Sequence, residues 1–98
     1  MAIKQLYVDT LLDYMQTIAK SARVTINGAL VDFDIFKTIV EGNTIKHLVY
    51  LTNETGSVTN AYLLDAFGRE LQSKSFSVNK GEDGFTIVFV TALEIKGE

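Results

Sequence analysis

The sequence predicts an α+β fold, in which one N-terminal amphipathic helix packs on an antiparallel sheet of about six strands joined by hairpins. Helical spacing of apolar residues is confined to residues 3–20, whereas the rest of the chain alternates apolar and polar residues between short turn segments. The connections are also short, which favours antiparallel neighbours because parallel strands need long crossovers. The 98 residues fit one domain, with the helix at 3–20 and the sheet region at 22–96.

The predicted helix has an unusually broad apolar side. On a helical wheel with about 100° between residues, the apolar positions cover about 180° of the cylinder, more than a surface helix needs. One sheet face, or a sheet together with a second copy of the helix, would bury this arc. We therefore expect a self-association face on the helix, made up of Tyr7, Leu11, Tyr14, Met15 and Ile18.

The first strands flank Asn27-Gly28 and are predicted from "ARVTI" and "ALVDFDIFKTIV". Asn-Gly is a strong hairpin signal because both central residues of a type I′ turn have positive φ. The alternation in the second segment becomes unclear after Lys37, which predicts a bulge. Gly42-Asn43 predicts the next turn.

The segments "TIKHLVYLT" and "FTIVFVTALEI" are apolar on both faces, so we predict interior strands covered on both sides, with the last strand central. Between them, "SVTNAYLLDAF" and "RELQSKSFSV" predict two more strands joined by a turn at Gly68. In the first of these, simple alternation places Val58 on the face of Tyr62 and Leu64, opposite Ala61 and Leu63.

Composition argues against several functions. The net charge is −3 and the nine Lys and Arg are scattered, so we expect no nucleic-acid partner. One histidine and no cysteine argue against a structural zinc site and thiolate chemistry, and we expect no metal or other cofactor. No apolar run approaches the roughly 20 residues that span a bilayer, and the N-terminus lacks a signal-peptide pattern. We expect a cytoplasmic protein, or one associated with a virion, without a membrane partner.

Few residues suggest chemistry. His47 lies in mid-strand without a G-x-S-x-G elbow, so we interpret it as a sheet-face histidine rather than a catalytic base. Asp32 and Asp34 project from one sheet face about 7 Å apart, a spacing that would suit glycoside hydrolysis or binding of a hard cation. A solvated sheet face produces the same alternation. "NKGEDG" is interpreted as a polar hairpin loop, because it lacks the EF-hand and phosphate-loop spacings.

The stretch "HLVYLTNETGSVTNAYLLDAFGREL" resembles segments of small β-rich tail, baseplate or accessory proteins of phages and prophages of Gram-positive bacteria. The resemblance covers about a quarter of the chain. The positions that match are Glu54, Gly56, Ala61, Asp65, Gly68, Arg69 and Leu71. It implies a structural or interaction protein and assigns no functional residue.

The leading hypothesis from the sequence is a non-enzymatic, self-associating structural or protein-interaction domain, a homo-oligomer or a partner of another protein. A second hypothesis is a small-ligand or polysaccharide-binding module or hydrolase that uses Asp32 and Asp34 with neighbouring aromatic residues. A third is a regulatory domain that accepts a partner strand on an exposed sheet edge.

Overall fold

The computed structural model describes residues 4–94 and contains one helix and seven strands. Their bounds are α1 Gln5–Ile18, β1 Ser21–Ile26, β2 Ala29–Asp34, β3 Lys37–Glu41, β4 Thr44–Leu51, β5 Gly56–Leu64, β6 Glu70–Lys80 and β7 Phe85–Ala92. The strands form two antiparallel sheets, with the orders β2-β1-β5-β6 and β3-β4-β7. The α+β class and the antiparallel pairing are as predicted, but the single sheet of about six strands is wrong.

The chain changes sheets at Ile35 and Phe36, inside the segment predicted to be one long strand with a bulge. β2 ends at Asp34 in the first sheet and β3 begins at Lys37 in the second. The Phe36 N–H donates to the Leu48 carbonyl at 2.7 Å and so fixes the link onto β4. The irregular alternation after this point therefore marks a crossing between sheets, not a bulge.

The Asn27-Gly28 turn is confirmed as a hairpin between β1 and β2. Its two central residues have φ of 53° and 79°, which is the pattern of a type I′ turn. The Asn27 side chain also reaches the start of β5, where its Oδ1 accepts the Ser57 N–H at 2.9 Å and its Nδ2 donates to the Thr55 carbonyl at 3.3 Å. Gly42-Asn43, with φ of 58° at the glycine, joins β3 to β4 as predicted.

The core lies between the two sheets, which pack face to face as in a sandwich. The largest fully buried side chains come from β1, β4, β5 and β7, namely Val24, Ile45, Val49, Leu51, Val58, Ile87 and Phe89. A register shift between Val58 and Asn60 places Val58 on the inner face with Ala61 and Leu63. Simple alternation assigned Val58 to the opposite face, because the bulge is not visible in the sequence.

Two strand predictions need correction. β4 is central in its sheet, but only one face is buried: His47 and Val49 face the core, while Tyr50 is exposed. β7 is an edge strand rather than a central one. Side chains of β6 occupy part of that edge, because Gln72 Nε2 donates to the Val90 carbonyl at 2.9 Å and Lys74 Nζ donates to the Val88 carbonyl at 2.8 Å.

Helix α1 closes one end of the sandwich. It is shorter than the predicted range of 3–20, and Lys20 lies beyond its last turn, while Ile3 lies outside the described residues. Val8 and Leu12 are its buried residues, and they pack against Ile45. The radius of gyration is 15.5 Å and the longest dimension is 51 Å. About 13 Å is typical of a compact chain of this length, so this protein is elongated.

The opposite end of the sandwich is fixed by a buried lysine. The side chain of Lys80, with 7% exposure, donates to the carbonyls of Thr52, Glu54 and Gly81. An ammonium group has three N–H donors, so each donor has a carbonyl acceptor. This arrangement holds the link between β4 and β5 against the end of β6.

Candidate functional site

Helix α1 carries two parallel rows of apolar residues. The inner stripe, formed by Val8, Leu12 and Met15, packs on the body of the protein together with Ile45 and Leu93. The outer stripe is displaced by roughly 100° around the helix. Its members are Tyr7, Leu11, Tyr14 and Ile18. The sheets therefore cover only part of the broad apolar arc that the sequence indicates.

The predicted self-association face is divided between these stripes. Tyr7 and Tyr14 are 58% and 65% exposed, and Leu11 and Ile18 are half-buried at the margin. Met15 belongs to the inner stripe and packs against the core, so it is not available for an outside partner in the same way. Leu6, outside both stripes, is also exposed. The structure thus brings four of the five predicted residues together on one accessible side of the helix.

A rigid turn next to the helix displays a further aromatic side chain. Asp65 Oδ1 accepts the backbone N–H groups of Phe67 and Arg69, both at 2.9 Å, and Oδ2 accepts Arg69 Nε at 2.6 Å. The hydrogen bond from the Arg69 backbone is the chief cause that lowers the pKa of Asp65. The Arg69 guanidinium lies 5.2 Å from the centre of the Phe67 ring, which is 83% exposed. This Phe67 turn, residues 65–69, holds its aromatic ring out toward solvent.

An open groove of about 320 Å³ lies between helix α1 and the Phe67 turn. Tyr14 and Ile18 form its helix side, and Phe67 and Leu71 form its sheet side. Large apolar patches on a monomer usually mark an interaction surface. The groove joins the outer stripe to the Phe67 turn. The joined surface is mainly apolar, and its polar and charged members are Thr17, Lys20, Asp65 and Arg69.

A smaller and deeper cavity, the His47 cavity, lies behind this groove. Its volume is about 230 Å³, and it shares Ile18 and Leu71 with the groove. Helix α1, both sheets and their facing edges contribute to its wall. The polar residues in that wall are His47, Gln72 and Thr91.

His47 has 2% exposure, and neither ring nitrogen has a hydrogen-bond partner among the described residues. Burial lowers the pKa of His47, and the backbone carbonyl of Gln16 opposes this in part without reaching hydrogen-bonding geometry. Oε1 of Gln72 also lacks a partner there, although Nε2 of the same amide is bound to Val90. A buried polar group without a partner costs about 1–3 kcal/mol, so native proteins seldom keep one without a use.

The alternation of residues along β4 indicates on which face of the strand His47 lies. His47 has the same parity as Ile45, Val49 and Leu51, so it lies on the buried face of β4. The prediction of a sheet-face histidine is in agreement with this position. Gln72, which also lines the cavity, comes from a distant strand, and no sequence spacing could connect it with His47.

Asp32 and Asp34 lie on the outer side of β2, and both are exposed. Asp32 faces Arg23 across the β1–β2 pair and forms a two-point ion pair with it, with Nε to Oδ1 at 2.7 Å and Nη2 to Oδ2 at 3.3 Å. The hydrogen bond from Arg23 lowers the pKa of Asp32. A carboxyl held ionised in this way is poorly suited to donate a proton, so this arrangement gives the acid–base hypothesis no support.

Other sequence features have structural explanations within residues 4–94. No group of three or more His, Asp or Glu side chains in this part of the chain is placed to hold a metal ion. Glu82 and Asp83 are exposed in the loop between β6 and β7. No helix of the described range is long and apolar enough to cross a membrane.

Five of the seven residues that carry the phage-protein resemblance have a role in local structure. Oε1 of Glu54 accepts the Thr52 N–H, Gly56 has φ of 128° under the Asn27 side chain, and Ala61 is buried between the sheets. Asp65 and Arg69 form the Phe67 turn. In comparisons with known proteins, no family model, no curated protein and no solved structure matches this chain.

Proposed function

We propose that this protein is a non-enzymatic structural or interaction domain that associates with a second copy of itself through helix α1. The observation that carries the proposal is the outer stripe, a row of large apolar side chains in which Tyr7 and Tyr14 are exposed and Leu11 and Ile18 are half-buried. The groove toward the Phe67 turn extends the same apolar surface. Burial of apolar area on association is the main force that would drive pairing.

The spacing of the outer stripe supports a symmetric pair. Its members are separated by four, three and four residues, which reads the same in both directions and matches the seam of a coiled coil. In an antiparallel pair related by a two-fold axis, Tyr7 would face Ile18 of the partner subunit. Leu11 would then face Tyr14 of the partner subunit. Such an interface is self-complementary, as closed dimers require.

The shape of the chain favours the same proposal. An elongated body of this size leaves much apolar surface in water, and a small domain gains stability when a second copy shares that burial. The resemblance to phage tail and baseplate domains agrees with a structural role. Five of its seven residues have roles in turns and packing, so the proposal is supported by the outer stripe and not by the resemblance.

The decisive experiment compares two substitutions on opposite sides of helix α1 by sedimentation velocity over a range of concentrations. Tyr14→Lys places a charge in the outer stripe, whereas Asp9→Lys places one on the exposed polar side. We expect a concentration-dependent dimer for the wild type and Asp9→Lys. Loss of Tyr14 burial in both copies removes about 3 kcal/mol, so Tyr14→Lys should weaken the dimer roughly a hundredfold.

Circular dichroism should show the same fold for all three proteins, since both positions are exposed. A wild-type protein that stays monomeric at the highest concentration would contradict the proposal. Equal weakening of the dimer by both substitutions would also contradict the proposal, because a general effect of charge would then explain the result without contacts of the outer stripe.

A further inference from the structure

Two residues of the His47 cavity wall, His47 and Gln72, carry three buried polar atoms without a hydrogen-bond partner in the described chain, and the Gln16 backbone carbonyl lies near the His47 ring without bonding it. The three atoms are Nδ1 and Nε2 of His47 and Oε1 of Gln72. The orientation of the Gln72 amide is fixed, because its Nε2 donates to the Val90 carbonyl at 2.9 Å and Oε1 must occupy the other position. The cavity therefore has defined hydrogen-bonding groups from His47 and Gln72 in a mainly apolar wall, in which Thr91 is the other polar residue.

The chemistry of these atoms restricts what would satisfy them. A buried neutral imidazole offers one N–H donor and one nitrogen acceptor, and the Gln72 carbonyl offers a second acceptor. A hydroxyl group satisfies two of these three groups, since it can accept one hydrogen bond from the imidazole N–H and donate one to the Gln72 carbonyl. No Lys, Arg, Asp or Glu is among the described residues of the wall, so a charged molecule would lose its hydration without gaining an ion pair.

The volume of the cavity and the residues of its wall restrict the rest of the bound molecule. A dry apolar cavity of about 150 Å³ holds benzene, so about 230 Å³ suits a single ring with a few additional atoms. Met15 contributes a polarizable thioether, which packs well against an aromatic ring, and Ile45 and Leu63 complete an apolar surface. The half-exposed Leu71 stands where the cavity meets the open groove, which provides a route of entry.

We propose that the His47 cavity is a binding site for a small, neutral, single-ring aromatic molecule with one hydroxyl group. The hydroxyl would donate to Oε1 of Gln72 and would accept from the ring N–H of His47. The apolar ring would lie against Met15 and Leu63. The proposal does not rest on self-association, because the polar atoms that carry it belong to His47 and Gln72, although the cavity wall shares Ile18 with the outer stripe.

The experiment is a titration followed by NMR of the amide groups and of the His47 ring nitrogens, with three probes. The first is p-cresol, the second is toluene, which has the same ring and methyl group without the hydroxyl, and the third is 4-methylbenzoate, which is charged. We expect saturable binding of p-cresol with Kd on the order of 1 mM or below. Toluene should bind roughly tenfold more weakly, and 4-methylbenzoate should not bind.

Two substitutions test the polar contacts. Gln72→Met keeps the length of the side chain, and His47→Phe keeps a ring, while each removes the hydrogen-bonding atoms. Both should reduce p-cresol binding toward that of toluene. Ser73→Ala, on the same strand but outside the cavity wall, is the matched control and should bind p-cresol as the wild type does.

Absence of saturable p-cresol binding would overturn the proposal. Equal affinity for p-cresol and toluene would also overturn it, because the polar atoms would then contribute nothing to the affinity. A third contrary result is a crystal structure in which ordered water molecules satisfy His47 and Gln72 and remain in place when p-cresol is added. Loss of affinity in Ser73→Ala equal to that in Gln72→Met would show that the effect is not local.

Discussion

The two ends of the sandwich differ in whether their buried polar groups have hydrogen-bond partners. At the end where β4 meets β5, each N–H donor of the Lys80 ammonium has a carbonyl acceptor, and Asn27 clamps the start of β5. At the end closed by helix α1, the ring nitrogens of His47 and Oε1 of Gln72 are buried without a partner in the described chain, and Phe67 projects into water.

This difference distinguishes buried polar residues that stabilise the fold from buried polar residues whose hydrogen bonds would have to come from a bound molecule. A polar group that is buried and fully bonded stabilises the fold, whereas one that is buried and unbonded destabilises it until something else binds. On this criterion the Lys80 end is built for stability, and the helix end is the place where function is to be sought. Substitutions of the two kinds should therefore change the free energy of unfolding in opposite directions.

The largest effect is expected at Lys80. Lys80→Met keeps most of the apolar stem and removes the ammonium group, so the carbonyls of Thr52 and Glu54 lose their donor. We expect a loss of about 3 kcal/mol in the free energy of unfolding, measured by urea denaturation. Lys74→Met is the matched control: it removes one exposed bond to the Val88 carbonyl and the cation–π contact with Phe76, and should cost about 1 kcal/mol. Equal losses for the two variants would contradict the comparison.

The next effect is expected at Asn27, which combines a positive φ with a side-chain clamp. Asn27→Ala loses the two bonds to Thr55 and Ser57 and also places a less tolerant residue at φ of 53°, so we expect a loss of about 2 kcal/mol. Asn27→Gly loses only the clamp and should cost about half as much, because glycine accepts this φ. Urea denaturation of both variants separates the two contributions, and the clamp would be unimportant if Asn27→Gly matched the wild type.

The hairpin at Asn27-Gly28 also shows what the sequence could predict. A turn depends on adjacent residues, so the dipeptide alone was sufficient for position and turn type. The assignment of strands to two sheets depends on contacts between distant residues, and the crossing at Ile35 and Phe36 needs only two residues that look like part of a strand. The edge position of β7 was missed for the same reason, since an apolar pattern reports burial but not strand order.

The candidate site, like the fold, could be predicted only in part from the sequence. Helical spacing was enough to predict the face that contains Tyr7, Leu11, Tyr14 and Ile18, but not that Met15 would be used by the core. The His47 cavity was not predicted, because its wall joins one helix to strands of both sheets. The display of Phe67 was also missed, since it depends on how Asp65 folds the turn around its own carboxylate.

At the helix end, the third prediction has the opposite sign to the first. His47→Leu removes two buried ring nitrogens that have no partner in the described chain and keeps an apolar side chain of similar size. We expect the free energy of unfolding to rise by about 1 kcal/mol. Val49→Ala, on the same buried face of β4, is the control for ordinary core packing and should cost about 2 kcal/mol. A His47→Leu variant that is as destabilised as Val49→Ala would show that the imidazole is satisfied in the fold.

The smallest predicted effect is a dependence of stability on pH that comes from the same histidine. Burial lowers the pKa of His47 below the ordinary 6.5, so the unfolded chain binds a proton at a higher pH than the folded chain does. The free energy of unfolding should therefore be highest above about pH 6.5 and should fall as the pH decreases below it, by at most about 1.4 kcal/mol per pH unit.

The range from pH 6.5 to about 5 isolates this effect, because the pKa values of Asp32 and Asp65 are lowered from 3.8 and those carboxyls titrate under more acidic conditions. Urea denaturation at several pH values in this range measures the slope, and His47→Leu should show none from this source. A wild-type stability that is constant over the range, or a slope that His47→Leu retains, would place the imidazole in contact with an acceptor or with water. Since an unsatisfied, uncharged imidazole is also what a hydroxyl-bearing ligand would require, added p-cresol should steepen the wild-type slope and leave that of His47→Leu unchanged.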